Sequence, residues 1–287
     1  MSGLRQKYHV IWSSLLLALA LALPAQADTV EKIKSEGKFV IGYREDTRPF
    51  SFIDEAGTPT GYSMDLCGHV AEAVKAQLDL PDLQVEYKKV TSDNRFEMVI
   101  SGEIDIECGA TTNTLTRQEQ VSFTLMTFVT GAEFLLPASS QISQPADIND
   151  KKIGVLHGTT TAETLNDLIA NNGLASQVVT FETHDQGMAA LESREIDAYF
   201  GDRVLLILLV LGSDNPAAYK LSGRYYSNEP YALMIRRNDD AFRLIADRAL
   251  AQLYRSGEIG EIYRKWFGDS KPGNLLQALF VLNAIPE

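Results

Sequence analysis

The sequence has little of what marks several classes of enzyme and metalloprotein. Its 287 residues include two cysteines and four histidines, and these do not fall into metal-binding spacings. It also lacks a P-loop, an HExxH pair and the signature of a nucleophilic triad. We therefore expect no metal ion, no cofactor and no catalytic residue.

Long hydrophobic runs are scarce as well. The longest covers residues 10–23, follows Arg5 and Lys7, and leads into a short stretch of small residues that ends at Ala27. This is the pattern of a secretory signal peptide. It predicts that residues 1–27 are cleaved after Ala27 and that the rest of the chain is exported in soluble form.

Positive charge is in short supply. The chain has 26 Lys and Arg against 38 Asp and Glu, a formal net charge of −12. Residues 1–27 contain two of the cations and no acidic residue, so the exported part carries −12 − 2 = −14. An acidic surface disfavours nucleic acid and anionic membranes as partners.

The two cysteines, Cys67 and Cys108, would meet an oxidising compartment after export. The first lies in the first turn of a predicted helix that Ser63 would cap, and the second ends a predicted strand. Both fall at the same edge of one sheet. A disulfide and a pair of buried thiols both fit this placement, and the sequence leaves the choice open.

The most informative stretch is 102–119, which reads GEIDIECGATTNTLTRQE. A short apolar strand ends there in Gly and small polar residues, and Thr116 with Glu119 has the spacing of a capping box. The predicted helix places Arg117 in its first turn, where the positive end of the helix disfavours a cation. An anion bound by both explains this arginine; the alternative is an arginine lying in solvent.

Strands and helices alternate along the chain, which predicts a mostly parallel α/β sheet with its ligand site beyond the carboxyl ends of the strands. Ser92 is predicted to cap a short helix with Arg95 in its first turn. Arg44, Arg95 and Arg117 all follow predicted strands. The remaining apolar run, 204–211, is too short for a bilayer and predicts a buried helix.

A second series of elements follows Gly131 and repeats the first. Five residues recur at a constant offset of 92: Ser101, Glu103, Ile104, Asp105 and Gly109 return as Ser193, Glu195, Ile196, Asp197 and Gly201. The second series includes a helix that Thr160 and Glu163 would open as a capping box. We expect two facing lobes, the first formed by 28–131 and 232–287 and the second by 132–231.

Several motifs together resemble the bacterial extracellular solute-binding proteins of family 3, the polar amino acid-binding components of ABC importers, and most of all the glutamate/aspartate-binding proteins. The motifs are YREDTRPFSFID, GYSMDLC, TSDNR, IDIECGATTN, HGTT, EPYALMIRR and SGEIGEIYRKWF. The resemblance implies a type II two-lobed periplasmic binding protein fold, with a mostly parallel sheet flanked by helices in each lobe and the ligand in the cleft between them. It also implies a monomeric periplasmic protein that serves an inner-membrane permease with a separate ATPase subunit.

The resemblance implies eight ligand-binding residues: Arg44, Ser92, Arg95, Thr112, Arg117, Thr159, His184 and Asp202. Arg117 would grip the α-carboxylate with Thr112 and Thr159, and Asp202 would pair with the α-ammonium. The other four would surround the distal carboxylate of an acidic L-amino acid. Purely structural roles remain open for single residues. Arg44 and Arg95 could be surface residues, His184 a residue at a helix start, Thr159 a support of the turn, and Asp202 only a helix cap.

Two positions depart from the family pattern. Ala110 stands where serine is common, and Arg203 stands where a second acid is frequent. The first removes a hydroxyl from the ligand site, and the second alters the charge near the amine end.

The chemistry of the predicted site agrees with a dicarboxylic amino acid. Three arginines and one aspartate complement two carboxylates and one ammonium. A neutral amide would leave a buried arginine unpaired, at a cost on the order of 3 kcal/mol or roughly a hundredfold in affinity.

Other functions remain open. They are a ligand-sensing module, a binding protein for a neutral polar amino acid, and an enzyme of the same fold, such as a cyclohexadienyl dehydratase with Glu107 as its carboxylate.

Overall fold

The computed structural model describes residues 28–287, so the predicted signal peptide and its cleavage site lie outside the described residues. The strands are β1 Lys38–Tyr43, β2 Asp46–Thr47, β3 Ser51–Ile53, β4 Pro59–Thr60, β5 Gln84–Lys89, β6 Ile106–Glu107, β7 Val121–Thr130, β8 Ala132–Pro137, β9 Lys152–Leu156, β10 Gln177–Phe181, β11 Ala198–Asp202, β12 Tyr219–Leu221 and β13 Glu229–Arg236. The helices are α1 Thr29–Glu36, α2 Tyr62–Leu78, α3 Arg95–Ile100, α4 Leu115–Gln118, α5 Thr160–Asn171, α6 His184–Glu192, α7 Arg203–Leu211, α8 Asp240–Ser256, α9 Glu258–Phe267 and α10 Asn274–Leu282.

Two five-stranded sheets form the body of the protein, with strand orders β5-β1-β6-β13-β7 and β10-β9-β11-β8-β12. In each sheet the first two pairs are parallel and the last two are antiparallel. The predicted α/β class is confirmed. The sheets are mixed rather than mostly parallel, because β7, β8, β12 and β13 run antiparallel to the strands beside them.

The internal repeat is visible in the hydrogen bonds. Asp105 exchanges backbone and side-chain hydrogen bonds with Val40, the third residue of β1. Asp197 does the same with Lys152 at the start of β9. Each aspartate thus binds the backbone of the strand that follows the first helix or loop of its lobe in the same way. The two lobes therefore share this local arrangement.

The helices form where apolar residues recur at helical spacing and end where the backbone turns left-handed. On α2, Leu66, Val70 and Val74 are fully buried four residues apart, and the helix ends at Asp79 with a φ of 55°. α8 ends at Gly257 with a φ of 81°, a conformation that glycine adopts without strain. These helices pack on one face of the first sheet.

The helix starts differ from the predicted caps. Thr114, rather than Thr116, caps α4 through its side chain, and Thr159, rather than Thr160, caps α5. α2 begins after Gly61 and α3 after Asn94, so neither Ser63 nor Ser92 is a cap. For α4 and α5, two threonines close in sequence both fit the capping pattern, and the direction of the backbone determines which one caps the helix.

The apolar run predicted as a buried helix is α7, and only part of it is buried. Leu205 and Leu206 are buried, whereas Ile207 is 37% and Leu211 66% exposed. The helix covers the second sheet with one face and leaves the other open. Among residues 28–287, none of the helices combines the length and apolarity needed to cross a bilayer.

A disulfide bond joins Cys67 on α2 to Cys108 after β6, which settles the choice that the sequence left open. Both cysteines are fully buried in the main core of the first lobe. The bond ties the start of a helix to the strand end that leads into the site.

The chain passes between the two sheets twice, at Gly131 and again between residues 222 and 228. A side chain at Gly131 would lie 2.5 Å from the carbonyl oxygen of Ser227, so the two crossing segments touch. The backbone N–H of Ala132 also donates to the hydroxyl of Ser227 at 3.0 Å.

Candidate functional site

Most of the predicted site residues surround a small cavity between the two sheets. Seven of the eight line it: Arg44, Arg95, Thr112, Arg117, Thr159, His184 and Asp202. Its volume is about 20 Å³, enough for roughly one water molecule. Ser92 is the exception, since it is buried in the turn before α3 and is not part of the lining.

Arg44 and Arg95 are 4% and 3% exposed, which excludes the interpretation of both as surface residues. Nη1 of Arg95 donates to the hydroxyl of Thr111 at 2.9 Å, and that hydroxyl donates to Oε2 of Glu107 at 2.7 Å. Nε of Arg95 is buried without a hydrogen-bond partner in the described chain. Burial lowers the pKa of Arg95 to about 9, so the guanidinium stays charged at neutral pH.

Arg117 lines the cavity as the third of the four residues of α4, rather than as the first residue after a cap at Thr116. Its Nη1 donates to the backbone oxygen of Thr112 at 2.9 Å, and its guanidinium stands 5.2 Å from the ring centre of Phe96. The side chain is partly buried rather than extended into solvent, and the start of α5 lines the same cavity.

Asp202 ends β11 on the opposite wall. Oδ2 accepts a 2.6 Å hydrogen bond from the hydroxyl of Tyr231, and Oδ1 is buried without a partner in the described chain. Burial, followed by the charge of Glu229, raises the pKa of Asp202 to about 7. Although Asp202 immediately precedes α7, its side chain makes no capping hydrogen bond, which argues against a purely structural cap.

His184 is the first residue of α6 and is also buried in the cavity wall. Its Nδ1 lies 3.0 Å from the hydroxyl of Tyr199. Burial lowers the pKa of His184 to about 4, so the ring is neutral at pH 7. In the cavity wall it can offer a hydrogen bond but no positive charge.

Thr159 lines the cavity, but its hydroxyl is engaged in the turn. It donates to the backbone oxygen of Leu156 at 2.8 Å and accepts from the N–H of Ala162 at 3.2 Å. The hydroxyl of Thr159 therefore stabilises the turn, which is the alternative role considered for this residue.

The two departures from the family pattern have different structural consequences. Ala110 lines the cavity, where a serine would add a hydroxyl. Arg203 points elsewhere, since Nη1 lies 3.3 Å from Oε2 of Glu133 and the guanidinium stands over the ring of Tyr225. Its charge is thus directed away from Asp202.

Three carboxylates beside the arginines were absent from the predicted site. Asp46 pairs with Arg44 at 3.1 Å, and Glu107 reaches Arg95 through Thr111. Oε2 of Glu229 accepts 2.7 Å hydrogen bonds from the hydroxyls of Thr112 and Thr160. All three lie in motifs that the sequence analysis quoted, YREDTRPFSFID, IDIECGATTN and EPYALMIRR, but none of the three was assigned to the ligand site.

These additional carboxylates change the charge of the site. Counting formal charges, three arginines now face four carboxylates, Asp46, Glu107, Asp202 and Glu229. The balance is 3 − 4 = −1 instead of the 3 − 1 = +2 expected from the sequence. The simple excess of positive charge that the sequence predicted is therefore absent.

The family model of the bacterial extracellular solute-binding proteins, family 3, matches residues 39–269. The chain belongs to this family. The resemblance seen in the sequence motifs is thus confirmed for nearly the whole described chain.

Two relatives are similar over most of their length. The L-glutamate/L-aspartate-binding protein of Pseudomonas aeruginosa is 35% identical over 276 residues, 94% of this chain and 91% of that protein. The glutamate/aspartate import solute-binding protein of Escherichia coli K12 is 34% identical over 277 residues, 93% and 92% of the two chains.

Among solved structures, an ancestral arginine-binding protein bound to glutamine matches with a TM-score of 0.72 and 26% identity, over 81% of this chain and 99% of that one. The type II two-lobed fold is thereby confirmed. The chain is a solute-binding protein, as its family and its relatives are, and it is not an enzyme. Glu107, the residue considered for catalysis, accepts a hydrogen bond from Thr111.

Proposed function

We propose that this protein binds L-glutamate or L-aspartate between its two lobes and delivers it to an ABC importer. The role as an amino acid-binding protein of an import system rests on the family and on the similarity to relatives with that role. The choice of an acidic ligand rests on the residues of the site.

One observation carries the proposal. Within residues 28–287, two buried atoms of residues that line the cavity have no hydrogen-bond partner: Oδ1 of Asp202, an acceptor, and Nε of Arg95, a donor. Buried polar atoms are rarely left unpaired. A ligand with an ammonium at one end and a carboxylate at the other satisfies both.

The α-amino acid group has a complementary set of partners. Arg117 and the backbone N–H groups at the start of α5 line the same cavity and suit a carboxylate. Asp202 suits the ammonium. Arg44, Arg95 and the neutral ring of His184 remain for the distal group.

Binding requires the lobes to separate and close, because a cavity of about 20 Å³ cannot admit an amino acid. Several hydrogen bonds join the two halves of the molecule built on the two sheets around the cavity. The carboxylate of Glu229 accepts from Thr160, and Nη2 of Arg95 donates to the backbone oxygen of Gly158 at 3.4 Å. We propose 28–131 with 232–287 and 132–231 as the lobes, with the hinge at the two crossings.

The setting follows from the proposed role. The protein acts as a monomer in the periplasm after removal of residues 1–27, and it docks on an inner-membrane permease with a separate ATPase subunit. Its acidic composition, −12 overall, fits neither nucleic acid nor an anionic membrane as a partner.

Calorimetric titration tests the proposal. Protein that has been unfolded and refolded to remove bound ligand is titrated with L-glutamate, L-aspartate, L-glutamine and L-asparagine. We expect the acids to bind near micromolar, about −8 kcal/mol, and the amides more weakly. Heat from the amides alone, or from none of the four, refutes the acidic ligand.

A second candidate ligand is a neutral polar amino acid. Asp46 and Glu107 stand beside the two distal arginines, so the distal end is closer to neutral than the arginines alone suggest. The two amide titrations measure this candidate directly.

A further inference from the structure

We infer that Asp46 is a specificity-determining residue: it competes with the distal carboxylate of the ligand for Arg44 and so limits the preference for an acid over its amide. This inference rests on the proposed function. Oδ1 of Asp46 lies 3.1 Å from Nη2 of Arg44, and the two side chains are 14% and 5% exposed. Arg44 lines the ligand cavity, while Asp46 stands behind it.

Among the described residues, Arg44 is the cation in direct contact with Asp46, whereas Lys89 interacts with it only at longer range. Arg44 is the only ion-pair partner of Asp46 within residues 28–287, and Oδ2 of Asp46 is buried without a hydrogen-bond partner there. The carboxylate of Asp46 therefore directs its charge at Arg44. His184, the nearest ionisable group of α6 in the cavity wall, is neutral at pH 7 and does not offset it.

The second distal arginine is also matched. Arg95 is linked through Thr111 to the buried carboxylate of Glu107. The distal end thus holds two guanidinium groups and two carboxylates before any ligand enters. A ligand carboxylate adds a third negative charge, whereas an amide adds none.

Geometry leaves Arg44 able to bind the ligand. A guanidinium has five N–H donors, and Asp46 occupies one of them in an ion pair. The penalty is electrostatic, because two carboxylates near one guanidinium repel each other in a buried site of low dielectric constant. That repulsion weakens the binding of glutamate but not of glutamine. Asp46 can therefore change the specificity without contacting the ligand.

Paired titrations of wild type and Asp46→Asn with L-glutamate and L-glutamine test the inference. The Kd ratio of glutamine to glutamate is expected to rise at least tenfold in the variant, mainly through tighter glutamate binding. Asp46→Ser is titrated in parallel in case the first variant does not fold. An unchanged ratio, or weaker glutamate binding with glutamine unaffected, overturns the inference.

Asp185→Asn is the matched control. Asp185 is exposed and lines the same pocket of about 420 Å³ beyond His184 as Asp46 does, but it makes no ion pair with Arg44. The Asp185→Asn substitution removes the same charge, and the Kd ratio of glutamine to glutamate is expected to stay within twofold of the wild-type value. An equal rise in this control would assign the effect to general electrostatics and refute the role of the Arg44 pair. If wild type binds neither ligand, the proposed function fails as well; if it binds glutamate and only the ratio stays fixed, the inference alone fails.

Discussion

The hydroxyl of Tyr231 on one sheet donates a 2.6 Å hydrogen bond to Oδ2 of Asp202 on the other. The bond holds the carboxylate in place from the opposite sheet, and Oδ1 has no hydrogen-bond partner in the described chain. It also opposes the effect of burial on the pKa of Asp202, which nevertheless stays near 7. The proposed partner of the ligand's ammonium, Asp202, is therefore a group whose pKa lies near neutral pH.

Ligand affinity should depend on pH through Asp202. An ammonium needs the charged carboxylate, so affinity is constant above about pH 7 and falls below it by up to tenfold per unit. Titrations between pH 5 and 8.5 measure this. Asp202→Asn should bind weakly at every pH and lose the slope; a wild-type affinity that is flat from pH 5 to 8 would contradict the assignment.

Glu229→Gln should move that pH midpoint downward, because the charge of Glu229 is the second cause of the raised pKa of Asp202. The substitution keeps an oxygen to accept hydrogen bonds from Thr112 and Thr160. The same pH series, run on this variant, measures the shift. A midpoint identical to wild type would show that Glu229 does not act on Asp202.

The two arginines at the ends of the cavity should differ in the ligands they affect. Arg117→Ala should weaken all four amino acids by about a hundredfold, because each has an α-carboxylate. Arg95→Ala should weaken the two acids more than the two amides. Glutamate affinity unaffected by Arg95→Ala would exclude the distal role of this arginine.

The contact between His157 and Asp93 crosses the mouth of the cleft, with Nδ1 2.7 Å from Oδ1. Both side chains are about half exposed, so the contact contributes at most about 1 kcal/mol to the closed form. His157→Ala should speed ligand release up to fivefold in stopped-flow measurements. His69→Ala is the control, because His69 faces Glu258 within one lobe at 3.9 Å; equal effects of both variants would argue against a cleft contact.

Reduction of the Cys67–Cys108 disulfide should destabilise the protein. The cysteines are 41 residues apart. Closing a loop of that size lowers the entropy of the unfolded chain and so raises the free energy of unfolding by about 2 to 4 kcal/mol. Denaturant unfolding of wild type with and without reductant measures the effect. The variant with both cysteines changed to alanine should match the reduced protein, and an unchanged midpoint in both would contradict the prediction.

Much of the site was predictable because local signals specify it. Arg44, Arg95 and Arg117 follow strands, and strand ends at one edge of a sheet converge. The helix caps were less predictable: adjacent threonines, such as Thr159 and Thr160, satisfy the same local pattern, and only the backbone direction separates them.

By itself the sequence determined the order of strands and helices, the repeat that places Asp105 and Asp197 alike, and the strand ends that carry the arginines. These follow from periodicity and capping, which act over a few residues. The tertiary structure alone decided which carboxylates oppose those arginines and which hydroxyls are already engaged. The hydrogen bond from Thr112 to Glu229 joins residues 117 positions apart, and such a contact exists only when β13 has returned to the first sheet.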